Sequence, residues 1–132
     1  MPTLNAVPIR APFVDWILDG KKTWEIRTRS TNIRGRIGLI KSKSLTVVGT
    51  CEIVDVLGPL TAAMIQKNAR SKINEAPRDC ADCVGQYAWV LGDVRRILQP
   101  VPYTHPSGAV VWVKVNARRA AQVLKAKSAR AG

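Results

Sequence analysis

The stretch GKKTWEIRTRS, residues 20–30, places five charged side chains within little more than the length of one β-strand. Its centre alternates, with Trp24 and Ile26 on one side and Glu25 and Arg27 on the other. This two-residue period predicts a strand with one buried face and one polar face. The polar face is either a solvated basic surface or the rim of a binding site.

Length and charge favour a small basic domain with a polyanionic partner. The chain has 132 residues, enough for one domain to bury a core without disulfides or metals. It carries 21 Lys and Arg against 9 Asp and Glu, a net charge of +12. Such an excess attracts polyanions, so nucleic acid, RNA or DNA, is the leading expected partner class.

An acidic membrane surface is the competing polyanion. The sequence has no apolar run of about 18 residues and no charged-then-apolar signal segment at its start. We therefore expect a soluble, cytoplasmic protein with no membrane partner, and the sequence leaves its oligomeric state open.

The three cysteines do not suggest a disulfide framework, because they are few and odd in number. Cys80 and Cys83 form a C-x-x-C motif, but a tetrahedral zinc site needs two further ligands, for which Cys51 and His105 are the candidates. No βαβ pattern surrounds the motif, as a thioredoxin-type redox pair requires. We expect two thiols in a polar loop, with no metal and no cofactor.

Hydrophobic patterns along the chain predict an α+β domain. Strands are predicted over LNAVPI (residues 4–9), RIGLIK (36–41), TVVGTCEIVDVLG (46–58), the start of YAWVLGDVRRIL (87–98) and AVVWVKV (109–115), and helices over APFVDWILDG (11–20) and residues 61–72. Gly49 is predicted to mark a bulge or bend, and residues 73–86 a loop. Short strands with two small helices indicate a strongly bent mixed sheet or barrel.

The C-terminal segment differs in composition from the rest. Residues 117–132 carry five basic residues and no acidic one on an alanine-rich background, and Asn116 is a candidate N-cap. We predict a domain over residues 1–116 followed by a basic helix or tail over residues 117–132. That tail is either a solvated terminus or an arm that contacts phosphates.

Charge is densest around the opening stretch. Residues 20–43 contain eight basic residues and one acid, Glu25. One-signed charge repels itself and a polyanion would relieve it, so we favour a binding rim over a solvated face. Glu25 is expected to be ionised and paired with Arg27 or a preceding lysine. This setting suits structural pairing or recognition of an exocyclic base amine better than proton transfer.

Four segments carry a resemblance to a known family. They are PFxxWILDGKKTWEIR, RGRIGLIKS, YAWVL and VVWV. Together they resemble the ASCH family, a branch of the PUA-like superfamily that also includes the YTH and EVE domains. The family signature of glycine, lysine, glutamate and arginine is met by Gly20, Lys22, Glu25 and Arg27, and the resemblance spans roughly residues 5–115.

The resemblance implies a small PUA-like mixed β-barrel of about five to six strands flanked by short helices. ASCH domains are proposed to bind RNA or nucleotides in a cleft at one barrel face, and YTH and EVE relatives hold a modified base between aromatic walls. Trp24, Trp89 and Trp112 are the candidate walls, weighed against packing in the core. The candidate nucleic-acid-binding residues are Lys21, Lys22, Trp24, Glu25, Arg27, Arg29, Arg34 and Arg36.

Some ASCH proteins are enzymes, which gives an alternative function. One bacterial group hydrolyses acetylated cytidine nucleosides with a lysine, a threonine nucleophile and a distant glutamate. Lys22 matches the lysine, but Glu25 stands in the place of the threonine and cannot supply an activated hydroxyl, and Glu75 is the nearest candidate for the glutamate.

Other family members cleave RNA, for which a lysine stabilises phosphate charge and a carboxylate or His105 moves a proton. The alternative is therefore a nucleoside amidohydrolase or a ribonuclease with Lys22 and Glu25 as its catalytic residues.

Overall fold

The computed structural model describes residues 2–108 and 111–130. In these residues, seven strands form one mixed sheet with three short α-helices around it. The strands are β1 (Leu4–Ile9), β2 (Trp24–Arg27), β3 (Gly35–Lys41), β4 (Thr46–Leu57), β5 (Tyr87–Pro102), β6 (Val113–Val115) and β7 (Ser128–Arg130). The helices are α1 (Phe13–Leu18), α2 (Ala62–Asn68) and α3 (Ala117–Lys125).

The strands are ordered β2-β5-β4-β3-β1-β6, and β7 pairs with the second half of β5. Only the β1–β3 pair is parallel among the described strands. The terminal strands β2 and β6 do not pair with each other in the described part of the chain, so the sheet is open. The α+β class is confirmed, whereas the expected closed barrel is not.

Bulges bend the two longest strands. The register between β4 and β5 shifts three times, and one shift lies between Val47 and Gly49, as the glycine predicts. Gly49 is opposite Leu39 on one side and Arg96 on the other. β5 runs on through Pro102, beyond its predicted end. The predicted strand over residues 109–115 is seen as β6 alone, and residues 109–110 lie outside the described part.

Each α-helix covers one part of the apolar core. Ile17 and Leu18 of α1 pack into the largest cluster, between the helix and the central strands. Val123 of α3 packs into a second cluster, and Ile65 of α2 packs into a third with Trp24. Removal of this apolar surface from water supplies the main driving force for the fold.

The segment after β4 is more ordered than the sequence predicts. The helix expected over residues 61–72 is α2, capped by the Thr61 hydroxyl and continued by a π-helical turn, Ala69–Ile73. The loop expected over residues 73–86 is wrong in part, because Pro77–Cys83 forms a 3₁₀-helix. The segment is kinked at Cys80, and Cys80 and Cys83 are both buried.

The C-terminal segment packs on the sheet. Asn116 caps α3 as predicted, since its side-chain oxygen accepts a hydrogen bond from the backbone N–H of Arg119 at 3.0 Å. Ala120 and Val123 are buried against the second cluster. The helix is followed by β7, and residues 131–132 of the predicted tail lie outside the described part. No helix within residues 2–108 and 111–130 is long and apolar enough to cross a bilayer.

Candidate functional site

Lys22 is placed by the turn that follows α1. Gly20 has a φ of +80°, in the left-handed region that glycine adopts without strain. The backbone N–H groups of Lys21 and Lys22 then both donate to the carbonyl of Trp16, at 2.9 and 3.1 Å. This turn directs the Lys22 side chain inward, where the residue is 3 % exposed.

The Lys22 ammonium faces an internal cavity. It lies 5.6 Å from the centre of the Phe13 ring, close enough for a cation–π contact. Within the described residues it makes no hydrogen bond or ion pair, so its capacity to donate is unused by the fold. A buried cation with free donors is a candidate binding or catalytic group.

Glu25 and Arg27 form the ion pair that the sequence predicts. Glu25 is buried, and Arg27 Nε donates to its Oε2 at 3.1 Å. A second guanidinium nitrogen of Arg27 donates to the carbonyl of Pro8 at 2.9 Å and so ties β2 to β1. Removal of either partner would leave a poorly solvated charge behind, which makes the pair a fixed part of the site.

Glu75 enters the site through an irregular turn. Asn74 has a φ of +65° directly after the π-helical turn, and the backbone N–H of Glu75 donates to the carbonyl of Ala69 at 3.1 Å. π-helical turns often occur at functional sites. This one places the Glu75 carboxyl on the same cavity as Lys22 and Glu25.

Two adjoining cavities form the cleft at this edge of the sheet. The wide cavity has a volume of about 630 Å³, and Arg10, Arg27 and Lys43 supply its cations. The narrow cavity has a volume of about 250 Å³ and contains Lys22 and most of the acids. Both are lined by Arg10, Phe13, Glu25, Ile26 and Gln86. The wide cavity falls in the size range of small-molecule sites, and the narrow one is its side chamber.

Burial shifts the pKa of two ionisable groups that line the narrow cavity, Lys22 and Glu75. It lowers the pKa of Lys22 from its ordinary 10.5, while Glu25 and Glu75 act in the opposite direction. It raises the pKa of Glu75 from its ordinary 4.5, and the Lys22 ammonium opposes that rise. A base with a lowered pKa beside an acid with a raised pKa is typical of sites that transfer protons.

The candidate aromatic walls are core residues. Trp24 is 6 % exposed in the third cluster and lines neither cavity. Trp89 is buried and stacks on Trp112 with 5.3 Å between ring centres. The Trp89 indole N–H donates to the Arg29 carbonyl at 3.0 Å, and the Arg27 guanidinium lies 5.6 Å from a Trp89 ring centre. These rings position the basic residues, and Phe13 is the aromatic side chain at the cleft.

The outer cations of residues 20–43 separate into two groups. Lys21 and Arg29 are exposed at either end of β2, near the cleft. The Arg34 guanidinium donates to carbonyls of its own loop, and Arg36 pairs with Asp93 and lies 3.9 Å from Glu52. Neither Arg34 nor Arg36 lines the cleft, although the sequence placed both with the signature residues.

The cysteines and the histidine do not converge. Cys51 lies in the largest core cluster, and His105 contacts the Tyr103 hydroxyl at 2.9 Å in an exposed loop. Cys83 lines the narrow cavity, and its thiol contacts that of Cys80. Among residues 2–108 and 111–130, no three or more His, Cys, Asp or Glu side chains are grouped so as to hold a metal ion. His105 is also remote from the lining of the cleft.

We expect all three thiols to resist alkylation in the folded protein. Burial raises the pKa of Cys51 and of Cys83 to about 12, and it also raises that of Cys80. At pH 8 the reactive thiolate is therefore scarce. Mass spectrometry after treatment with iodoacetamide should show no adduct in buffer and three adducts in denaturant. Rapid labelling of Cys83 in buffer would contradict the buried, protonated state.

The raised pKa values of the thiols also make the free energy of unfolding depend on pH. Folding raises the pKa of these thiols, so the native state keeps their protons to a higher pH than the unfolded state does. Their contribution to the free energy of unfolding is therefore complete below pH 9. That contribution is lost as the pH rises from 9 toward 12.

Comparison with known proteins gives the family. The family model described as the ASCH domain matches residues 7–123. The chain belongs to the ASCH family. The crystal structure of ASCH from Zymomonas mobilis matches with a TM-score of 0.68 and 16 % identity, over 97 % of this chain and 97 % of that chain. A mutant form of that protein matches with a TM-score of 0.66 and 17 % identity, over 91 % and 95 %.

At these identities the likeness to the Zymomonas ASCH structures shows the fold, which is PUA-like. No curated protein sequence matches that of this ASCH domain. The family match runs through most of α3, so this helix belongs with the sheet in the ASCH pattern.

Sequence reasoning missed several cleft residues of this ASCH domain. Arg10 comes from the β1–α1 connection, Phe13 from the first position of α1, Lys43 from the β3–β4 turn, and Asp79 and Asp82 from the 3₁₀-helix. Phe13 lies in the segment that carries the family resemblance and the two aspartates lie beside the C-x-x-C cysteines, but neither pattern predicts a position in the cleft. The one available signal was the acidic pair itself, which breaks an otherwise basic chain.

Proposed function

We propose that this ASCH domain binds RNA by taking one nucleobase or nucleotide into the cleft. ASCH domains are generally thought to bind RNA. The observation that carries the proposal is the buried Lys22 ammonium, open to a cavity that it shares with the Glu25 and Glu75 carboxylates. This cavity offers a cationic donor beside anionic acceptors.

A nucleobase edge matches this set of donors and acceptors. Lys22 donates to a base carbonyl, and the carboxylates accept from an exocyclic amine or ring N–H. Cytosine, guanine and uracil each present a carbonyl oxygen together with such a donor, whereas adenine has no carbonyl. Arg10, Arg27 and Lys43 in the wide cavity then face the phosphate, and Lys21 and Arg29 extend the basic rim.

Equilibrium dialysis with the four ribonucleosides tests the proposal. We expect cytidine, guanosine and uridine to be retained about tenfold more tightly than adenosine, because a matched polar pair discriminates by about 1–3 kcal/mol. The retained species is identified by mass spectrometry and should be unchanged in mass. Equal retention of all four nucleosides, or none, would overturn the reading of the narrow cavity.

The pKa shifts favour a second candidate function, hydrolysis of a modified nucleoside or of RNA. In that reaction Lys22 and Glu75 act as the proton-transfer pair, because Glu25 is committed to Arg27. When an acetylated cytidine or a short RNA is added to the dialysis, two products whose masses together exceed that of the substrate by one water should then appear. Glu75→Gln should remove them while retention persists, and products that survive this change would exclude Glu75 from the reaction.

A further inference from the structure

The excess of basic over acidic residues lies outside the cleft. The charged residues that line its two cavities are four bases and four acids, so they cancel. The bases are Arg10, Lys22, Arg27 and Lys43, and the acids are Glu25, Glu75, Asp79 and Asp82. The excess of +12 therefore belongs to other surfaces.

Two thirds of that excess lies in the last part of the chain. From residue 94 onward there are eight Lys and Arg and no Asp or Glu. In the fold these residues come from the second half of β5, from β6, from α3 and from β7. We define the C-terminal basic surface as Arg95, Arg118, Arg119, Lys125, Lys127 and Arg130.

The cations of this surface have few partners. Among the described residues, Arg95 is the one member with an ion pair, to Asp93 at 3.3 Å. Arg95 also stands directly opposite Arg130 in the β5–β7 pairing. Like charges at opposed positions of antiparallel strands destabilise the pair, and an anion between them removes that cost.

Two grooves flank Ala126 on this surface. One, of about 470 Å³, is lined by Arg119 and Lys127 with Leu98 between them and the strand. The other, of about 340 Å³, is lined by Arg36 and Arg95 with Leu124 at its edge. Neither groove has a carboxylate in its lining. A phosphate entering the first groove meets Arg119 and Lys127 and no carboxylate, whereas in the second groove Arg36 and Arg95 are already paired with Asp93.

Exposed apolar side chains accompany the cations. Leu98 is 60 % exposed and Leu124 is 51 % exposed, one in each groove. A single-stranded nucleic acid presents phosphates and open base faces together, whereas the base faces of a duplex are stacked on one another. The mixture of cations and apolar groups fits the single strand.

We propose that the C-terminal basic surface is a second nucleic-acid site, which binds the phosphate backbone of single-stranded RNA independently of the cleft. The cleft and the two grooves share no lining residue, and one further cavity is lined by both Lys22 and Arg130. Glu25 pairs with Trp89 near the start of β5, and Ala129 pairs with Arg96 in its second half. The two pairs are separated by at most about 23 Å along that strand, a span that a short single strand can bridge.

The test compares two triple variants that each lower the net charge by three. Arg119→Gln, Lys125→Gln and Lys127→Gln change the basic surface at positions that line no cavity with Lys22. Lys67→Gln, Arg70→Gln and Lys72→Gln change three exposed cations on α2 and the π-helical turn, none of which lines the cleft or either groove. Affinity for a 12-residue oligouridylate is measured from about 50 to 400 mM salt, a range over which phosphate contacts give a linear log–log slope.

We expect the basic-surface variant to bind about 100-fold more weakly at 0.1 M salt, with a slope shallower by about 2, since each lost phosphate contact removes about 0.7 from the slope. The control variant should lose far less affinity, and its slope should change far less. Equal losses would overturn the proposal, because they would mean that net charge alone acts. Equally tight binding of duplex RNA, or of phosphatidylserine vesicles, would also overturn it.

Nucleoside dialysis separates the two sites. A free nucleoside has no phosphate backbone, so its retention in the cleft should be the same in the basic-surface variant and in the unmodified protein. If the cleft fails to bind nucleosides, the oligouridylate result still tests the C-terminal basic surface. Uridine monomers and the 12-residue strand are measured in separate experiments.

Discussion

Lys22→Met should weaken nucleoside binding by about 10- to 100-fold while making the folded protein more stable. The methionine keeps most of the buried chain of methylenes but removes the ammonium, which has no ion pair or hydrogen bond among the described residues. A hydrogen bond from a charged donor contributes about 1.5–3 kcal/mol to binding, which sets the expected loss of affinity.

The gain in stability has a separate cause. Loss of a poorly solvated charge should raise the free energy of unfolding by about 1 kcal/mol. For a domain of this length that corresponds to a rise in melting temperature of roughly 3–5 °C. Dialysis and thermal unfolding of one preparation measure both effects. A variant that lost affinity and stability together would show that Lys22 supports the fold rather than a ligand.

Lys21→Met is the matched control, because Lys21 is the exposed neighbour on the same turn. It should change neither nucleoside affinity nor melting temperature appreciably. The pH dependence gives a further check. Since folding lowers the pKa of Lys22, the unfolded state binds more protons between that lowered value and 10.5, and stability rises with pH there. The stability of the unmodified protein minus that of Lys22→Met should therefore rise with pH over this range. The same difference taken with Lys21→Met should stay flat.

Contacts between residues that are close in sequence could be predicted from the sequence. The alternation around Glu25 and Arg27 requires both side chains to lie on one face of β2, and their hydrogen bond confirms the predicted pair. The helix stop at Gly20, the bulge at Gly49 and the cap at Asn116 also follow from local backbone chemistry. Each depends on residues within a few positions of one another.

Contacts between residues that are distant in sequence could not be predicted from it. Arg10 and Glu75 meet Lys22 only because β1, the π-helical turn and β2 converge at one edge of the sheet. Arg36 belongs to the dense basic window in sequence, yet the register of β3 places its guanidinium beside Asp93 of β5. Charge density along a chain therefore did not identify which cations share a surface.

Gly49→Ala should destabilise the fold by about 3 kcal/mol, the upper part of the range for overpacking a core. A Cβ at this position would lie 2.5 Å from Leu18 Cδ2 and 2.7 Å from the carbonyl oxygen of Arg95. The carbonyl belongs to the backbone of a paired central strand and cannot rotate away. Urea unfolding, with the slope checked for two-state behaviour, measures the loss.

Gly92→Ala provides the contrast within the same pair of strands. Its Cβ would meet only Val54 Cγ1, at 3.2 Å, and Val54 is an exposed side chain that can change rotamer. This variant should be neutral or slightly stabilising, because alanine restricts the unfolded chain. If both glycine variants cost less than about 1 kcal/mol, the close approach of β4 to Arg95 would be wrong.

Gly49 also joins the two candidate sites mechanically. Its contacts are with Leu18 of α1, the helix that carries Phe13 of the cleft, and with Arg95 of the C-terminal basic surface. A methyl group there must push α1 and β5 apart, so any folded fraction of Gly49→Ala should lose affinity for both nucleosides and oligouridylate. Gly92→Ala should retain both, since Gly92 borders neither the cleft nor the two grooves.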